Sequence, residues 1–124
     1  VEGPVDKIRL DIVPAAVFTM PEAASVGKTE EECKAGGIAI KSRKSFYRAN
    51  GKALSMNASE GYCKILEEEK SGKILGCHIL GAHASDIIQE VAALMTRDGT
   101  VYDLSSIIHA HPTLSEIVMT AAGE

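Results

Sequence analysis

Residues 62–81 read YCKILEEEKSGKILGCHILG, two strand-like runs on either side of a short polar link. Tyr62 to Glu69 and Ile74 to Gly81 have the apolar and alternating character of strands, and Lys70, Ser71, Gly72 and Lys73 between them include a glycine that allows a tight reversal. An antiparallel hairpin follows. Gly76, inside the second run, predicts a bulge or a close approach of another backbone. Cys63, Cys77 and His78 fall on these strands and read as core or sheet-face residues.

Beyond Gly81 the period changes. Ser85 is placed to cap a helix in which Ile87, Ile88, Val91, Ala92, Leu94 and Met95 recur with helical spacing, and Gly99 stops it. His83, ahead of that helix, reads as a solvated loop residue. Asp103 to Ile108 predicts a short helix leading into His109, and a final helix carries Leu114, Ile117, Val118 and Ala121 on one face.

Toward the N-terminus, Ile38, Ile40 and Ser42 alternate with Ala39, Lys41 and Arg43, predicting a strand that runs to Phe46 and Tyr47. Arg48 to Asn57 reads as a polar connection. Thr29 and Glu32 make a capping box for a short helix that ends at Gly36 and Gly37 and holds Cys33 inside. Gly27, Lys28 and Thr29 suggest a phosphate loop, but that motif requires glycine where Glu22 stands. Pro14 to Thr19 is a short apolar run, stopped by Met20 and Pro21, that suits a buried or edge strand. The order of elements predicts an α+β domain, an antiparallel sheet of about five strands with helices packed largely on one face.

A chain of 124 residues with 45% hydrophobic residues fills one core rather than two. Its net charge of −4 and scattered basic residues disfavour nucleic acid and anionic membrane as partners. No apolar run reaches the ~20 residues that span a bilayer. Three cysteines without close pairing suit free thiols in a reducing cytoplasm. The polar opening of the chain, with Gly3 and Pro4, resembles a linker, so residues 1–12 are expected to be a link and 13–124 the domain.

The chemistry concentrates in His109 to Glu116. Histidine exchanges protons near neutrality, and a carboxylate nearby is the usual way to orient its ring. Three readings stand beside one another. Thr113 and Glu116 form T-x-x-E, so Glu116 serves as a helix capping box, with Pro112 as a helix starter. His109, His111 and Glu116 offer three zinc ligands, a weak set with no further ligand nearby in sequence. An acid/base histidine is the third, although Ser115 lies in no nucleophile pattern and no partner for the base is visible.

The run HAHPTLSE at 109–116 resembles the C-terminal segment of the flavin-dependent pyridine nucleotide-disulfide oxidoreductases. Val17 to Thr19, Pro21 and Glu22, Ala24 to Gly27, Thr29 and Glu30, Gly61 to Lys64, Ile74 to Gly76, and Ala84 to Asp86 with Ile88 resemble the same family, so the likeness covers nearly everything from Pro14 onward. Asp86 departs from it, standing where the family more often has glutamate. Leu114 is more similar to the branch that oxidises dihydrolipoamide than to the glutathione branch.

The resemblance implies a C-terminal dimerisation domain separated from its FAD and NAD domains. It implies a homodimer in which His111 is the base and Glu116 its orienter. His111 and Pro112 would lie near the partner subunit's flavin, and His111–Pro112 would be cis. A lipoyl-bearing multienzyme complex would be the partner. It also implies that FAD and NAD serve only the complete enzyme, that none is bound by this stretch alone, and that the stretch alone is inactive. No metal site is implied. The competing expectations are a non-enzymatic dimerisation module and the equivalent domain of another disulfide reductase such as glutathione reductase.

Overall fold

The computed structural model describes residues 8–124, so the expected link at 1–12 lies mostly outside the described residues. Five strands form one antiparallel sheet in the order β1-β2-β5-β4-β3: β1 Ala15–Val17, β2 Ala23–Gly27, β3 Ile40–Phe46, β4 Gly61–Glu68 and β5 Ile74–Gly81. The hairpin of β4 and β5 lies inside the sheet, with β2 and β3 added on its two sides.

Alternation decides the faces. Cys63 and Ile65 of β4, Cys77 and Ile79 of β5, and Ala24 and Val26 of β2 share one buried face. Helices α3 (Ala84–Thr96) and α5 (Glu116–Gly123) close over it, α3 against β2 and β5, α5 against β3 and β4. Ile87, Ile88, Val91 and Met95 of α3 and Ile117, Val118 and Ala121 of α5 complete the core. Helix α4 (Val101–Ser106) contributes Val101 and Leu104 to the same cluster. The opposite sheet face carries Lys64 and Leu66, and α1 (Glu30–Ala35) lies toward it, with Glu30 paired to Lys64. An α+β layout with helices largely on one face is therefore observed.

Helix α1 starts as its sequence predicts, with Thr29 accepting from the Glu32 N–H and Glu32 reaching back to the Thr29 N–H. The predicted bulge is present in β5 beside Gly76: Leu66 pairs with Gly76 and Glu67 with Ile74, which leaves Leu75 without a partner in the ladder. Gly76 itself marks a close approach, since a Cβ there would stand 2.1 Å from the Lys28 carbonyl oxygen.

Several boundaries differ from the sequence reading. Strand β2 replaces an expected lead-in to α1, because its small residues give little β signal yet pair with both β1 and β5. Helix α2 (Gly51–Ser55) forms inside the supposed polar connection, capped by Asn50 Oδ1, which accepts from the Ala53 N–H at 2.9 Å. Ser85 is not the cap of α3. That position belongs to His83 in a left-handed conformation (φ 60°), and Ser85 instead donates from its N–H and hydroxyl to Glu22, at 3.2 and 2.6 Å. Helix α4 begins two residues earlier than expected because Thr100 and Asp103 form a capping box.

The last helix is tied down at both ends. Ser45 Oγ on β3 donates to the Ile117 carbonyl at 2.6 Å, and the buried Arg43 donates to the carbonyls of Ala122, at 3.1 Å, and Glu124. This fixes the residue that opens α5, which is Glu116. Among the described residues no helix is long and apolar enough to cross a membrane.

Candidate active site

The segment between α4 and α5 has no regular structure, so side chains must hold it. The His111–Pro112 peptide is cis, as the resemblance implied, and Met20–Pro21 is a second cis bond. His111 and Pro112 are exposed at the outside of the turn.

Glu116 stands at the start of α5 with its side chain 18% exposed, and both its oxygens lie 3.0 Å from His111 Nδ1. It also accepts from the Thr113 N–H at 2.8 Å. The Thr113 N–H first, and His111 second, hold its carboxyl below the usual glutamate range. Only half of the expected capping box exists. Thr113 sends its hydroxyl to the Ala110 carbonyl at 2.7 Å, and Ser115, the residue before α5, makes no side-chain cap. One carboxylate therefore closes the turn and faces the imidazole together.

That geometry selects a tautomer. An ionised carboxylate only accepts, so Nδ1 carries the hydrogen of this contact, and in the neutral ring Nε2 keeps a lone pair. The His111 side chain is 77% exposed, and among the described residues Nε2 has no partner. The pair presents a base toward solvent.

His109 behaves differently. Its ring is turned inward, 5% exposed, with Nδ1 2.9 Å from the Ile107 carbonyl and Nε2 2.7 Å from Glu90 on α3. The two histidines are thus claimed by different carboxylates on different helices, and among the described residues no three His, Cys, Asp or Glu side chains converge as a metal cage. The zinc arrangement of His109, His111 and Glu116 does not form.

Two residues of the site were silent in the sequence. Asn50, besides capping α2, donates from Nδ2 to the Thr113 carbonyl at 3.1 Å, which joins α2 to the turn. Asparagine before a glycine was the available signal, but its second partner lies 63 positions away. Glu90 gave no signal at all, being one polar residue on an amphipathic helix.

Beside the pair lies a cleft of about 130 Å³ bordered by Ser45, Phe46, Asn50, His111, Glu116 and Ile117. Sites that enclose small molecules usually measure roughly 300 Å³ or more. His111 Nε2 faces solvent beside a cleft too small to enclose a molecule of that kind.

Comparison with known proteins identifies the family of the chain. Residues 13–122 match the model of the pyridine nucleotide-disulphide oxidoreductase dimerisation domain. Leghemoglobin reductase from Vigna unguiculata is 42% identical over 122 residues, covering 98% of this chain and 23% of that protein. Dihydrolipoyl dehydrogenase from Bacillus subtilis is 44% identical over 110 residues, 89% of this chain and 23% of that protein. Among solved structures, LpdA from Mycobacterium tuberculosis is similar with a TM-score of 0.89 at 31% identity, covering 97% of this chain and 26% of that one. The chain therefore spans about a quarter of the length of the relatives it matches.

Proposed function

This chain belongs to the pyridine nucleotide-disulphide oxidoreductase dimerisation-domain family, and from that premise we propose that it supplies the acid/base pair of a dihydrolipoyl dehydrogenase. In this reading residues 13–124 are the dimerisation domain, and 1–12 connect it to FAD and NAD domains. A family of dimerisation domains implies a homodimer. Tyr102 and Ile108, 65% and 97% exposed on either side of the α4 end, are apolar groups of the kind a second subunit would cover.

A thiolate, not a thiol, attacks a disulfide, and a dihydrolipoamide thiol is largely protonated at neutral pH. His111 Nε2 would take the thiol proton as the sulfur bonds to one sulfur of the partner subunit's disulfide and the disulfide bond breaks. Glu116 would hold Nδ1–H through that step and offset the charge of the imidazolium. FAD and NAD would supply the onward electron acceptors when bound. Their fit to this chain is limited to an edge contact. The cleft is small, the sequence has no glycine-rich dinucleotide turn, and only the exposed His111 and Pro112 would border the partner subunit's flavin.

The observation that carries the reading is the 3.0 Å contact of Glu116 with His111 Nδ1, which leaves Nε2 facing outward. Leu114 and the dihydrolipoyl dehydrogenase relatives favour dihydrolipoamide over glutathione disulfide, and hence a lipoyl-bearing multienzyme complex as partner. Three free, buried cysteines suit a reducing compartment such as the cytoplasm. This chain alone, without a disulfide partner for His111, would be inactive.

The test is His111→Gln in the full-length protein. Dihydrolipoamide turnover should fall by roughly 10²–10⁴-fold while flavin absorbance stays unchanged. Turnover near wild type would leave only a scaffolding role for the domain.

A further inference from the structure

We propose that Glu90 and His109 form a positioning pair that sets where the His111 ring stands, a role that rests on His111 being the base. The pair belongs to no part of the proton transfer described above, yet it is the more buried of the two imidazole–carboxylate contacts. The His109 side chain is 5% exposed where the His111 side chain is 77% exposed.

Both ring nitrogens of His109 face acceptors. The Ile107 carbonyl, 2.9 Å from Nδ1, cannot donate, so Nδ1 carries a hydrogen. Nε2 lies 2.7 Å from Glu90 Oε2. The ring is therefore hydrogen-bonded at both ends, and neither its rotation nor its tautomer is free. Its anchor is rigid, because Glu90 stands on the 13-residue helix α3, whose other face is packed in the core.

The turn needs such an anchor. Its downstream half is held by three contacts at Thr113: from its N–H to Glu116, from its hydroxyl to Ala110, and to its carbonyl from Asn50. The upstream half carries Ile108 pointing into solvent, and among the described residues the two contacts of His109 are its side-chain ties. His111 is two residues further on. Burying an imidazole–carboxylate contact carries a desolvation cost that often cancels its attraction, so its return here is one fixed geometry rather than stability. A displacement of about 1 Å at a reacting group can cost on the order of a hundredfold in rate.

The test uses the full-length protein with its flavin, dihydrolipoamide as substrate, and the variants His109→Gln, Glu90→Gln, His111→Gln and the double His109→Gln/His111→Gln. Each of the first two should lower kcat by about ten- to a hundredfold with KM, flavin absorbance and melting temperature little changed. The double variant should be no slower than His111→Gln alone, because the pair acts through that ring. Wild-type kcat in both single variants overturns the proposal. So does a double variant slowed, relative to His111→Gln, by the same factor that separates His109→Gln from wild type, and so does loss of flavin or of the dimer in both single variants. Wild-type turnover of His111→Gln is a separate outcome, which removes the base and the positioning role with it.

Discussion

Arg43 and Glu67 meet diagonally across β3 and β4 on the covered face of the sheet, with Nε 3.0 Å from Oε2 and Nη2 3.3 Å from Oε1, and both side chains less than 10% exposed. Arg43 also spends a nitrogen on the carbonyls that end α5. Removing the guanidinium leaves a carboxylate buried without its partner, so Arg43→Ala should cost about 3–5 kcal/mol in urea unfolding. Replacing both together, Arg43→Met with Glu67→Leu, should restore most of it. A single variant as stable as wild type would show that water reaches Glu67 in its place.

Gly76 is where β5 passes the start of α1. A methyl group at 2.1 Å from the Lys28 oxygen forces one backbone away from the other, and Gly76→Ala should destabilise by roughly 1–3 kcal/mol or more. Gly51→Ala is the control. It opens α2 with nothing within 4 Å of the added carbon, and it should gain about 0.4–1 kcal/mol by restricting the unfolded chain.

Glu116 and Glu22 both hold carboxyls below their usual range, Glu116 chiefly through the Thr113 N–H and Glu22 chiefly through the Ser85 hydroxyl. A depressed folded value means stability that is present above the unfolded value, about 4.3, and lost as pH falls below it toward the folded value. The urea midpoint should therefore drop as pH is lowered from about 5 to 3. The drop should be shallower in Glu116→Gln, whose amide oxygen still accepts from Thr113. Parallel pH profiles for the two proteins would assign the acid loss to other groups.

Cys33, Cys63 and Cys77 are all free and buried. Burial pushes the Cys33 thiol up, and the contact with Cys63, 3.9 Å between sulfurs, followed by burial, pushes up that of Cys77. Since the thiolate is the reactive form, an aromatic disulfide reagent should find no fast thiol in the native protein and three in guanidinium. A rapid native reaction would mean that the sheet opens locally.

The sequence was readable where a structure is decided by neighbours. Thr29 and Glu32 lie three residues apart and fix α1 between them, and the β4–β5 hairpin declares itself through one glycine link. Strand β2 escaped because Ala23 to Gly27 is too small to look like a strand and gains its identity from pairing with β5. Ser85 looked like a cap because a serine before an apolar helix usually is one, but the group that faces it is Glu22, 63 positions away. The site divides in the same way. His111 and Glu116 sit five residues apart and could be suspected together, whereas Glu90 and Asn50 reach the turn from other helices and carry no local mark.

The double engagement of Asn50 has a consequence for anyone who would transplant this site. Its side chain starts α2 and at the same time holds the turn between α4 and α5, so the proton-handling turn is not a portable peptide. A graft of residues 107–116 into another scaffold would arrive without its keystone, and the five-residue α2 would have to travel with it.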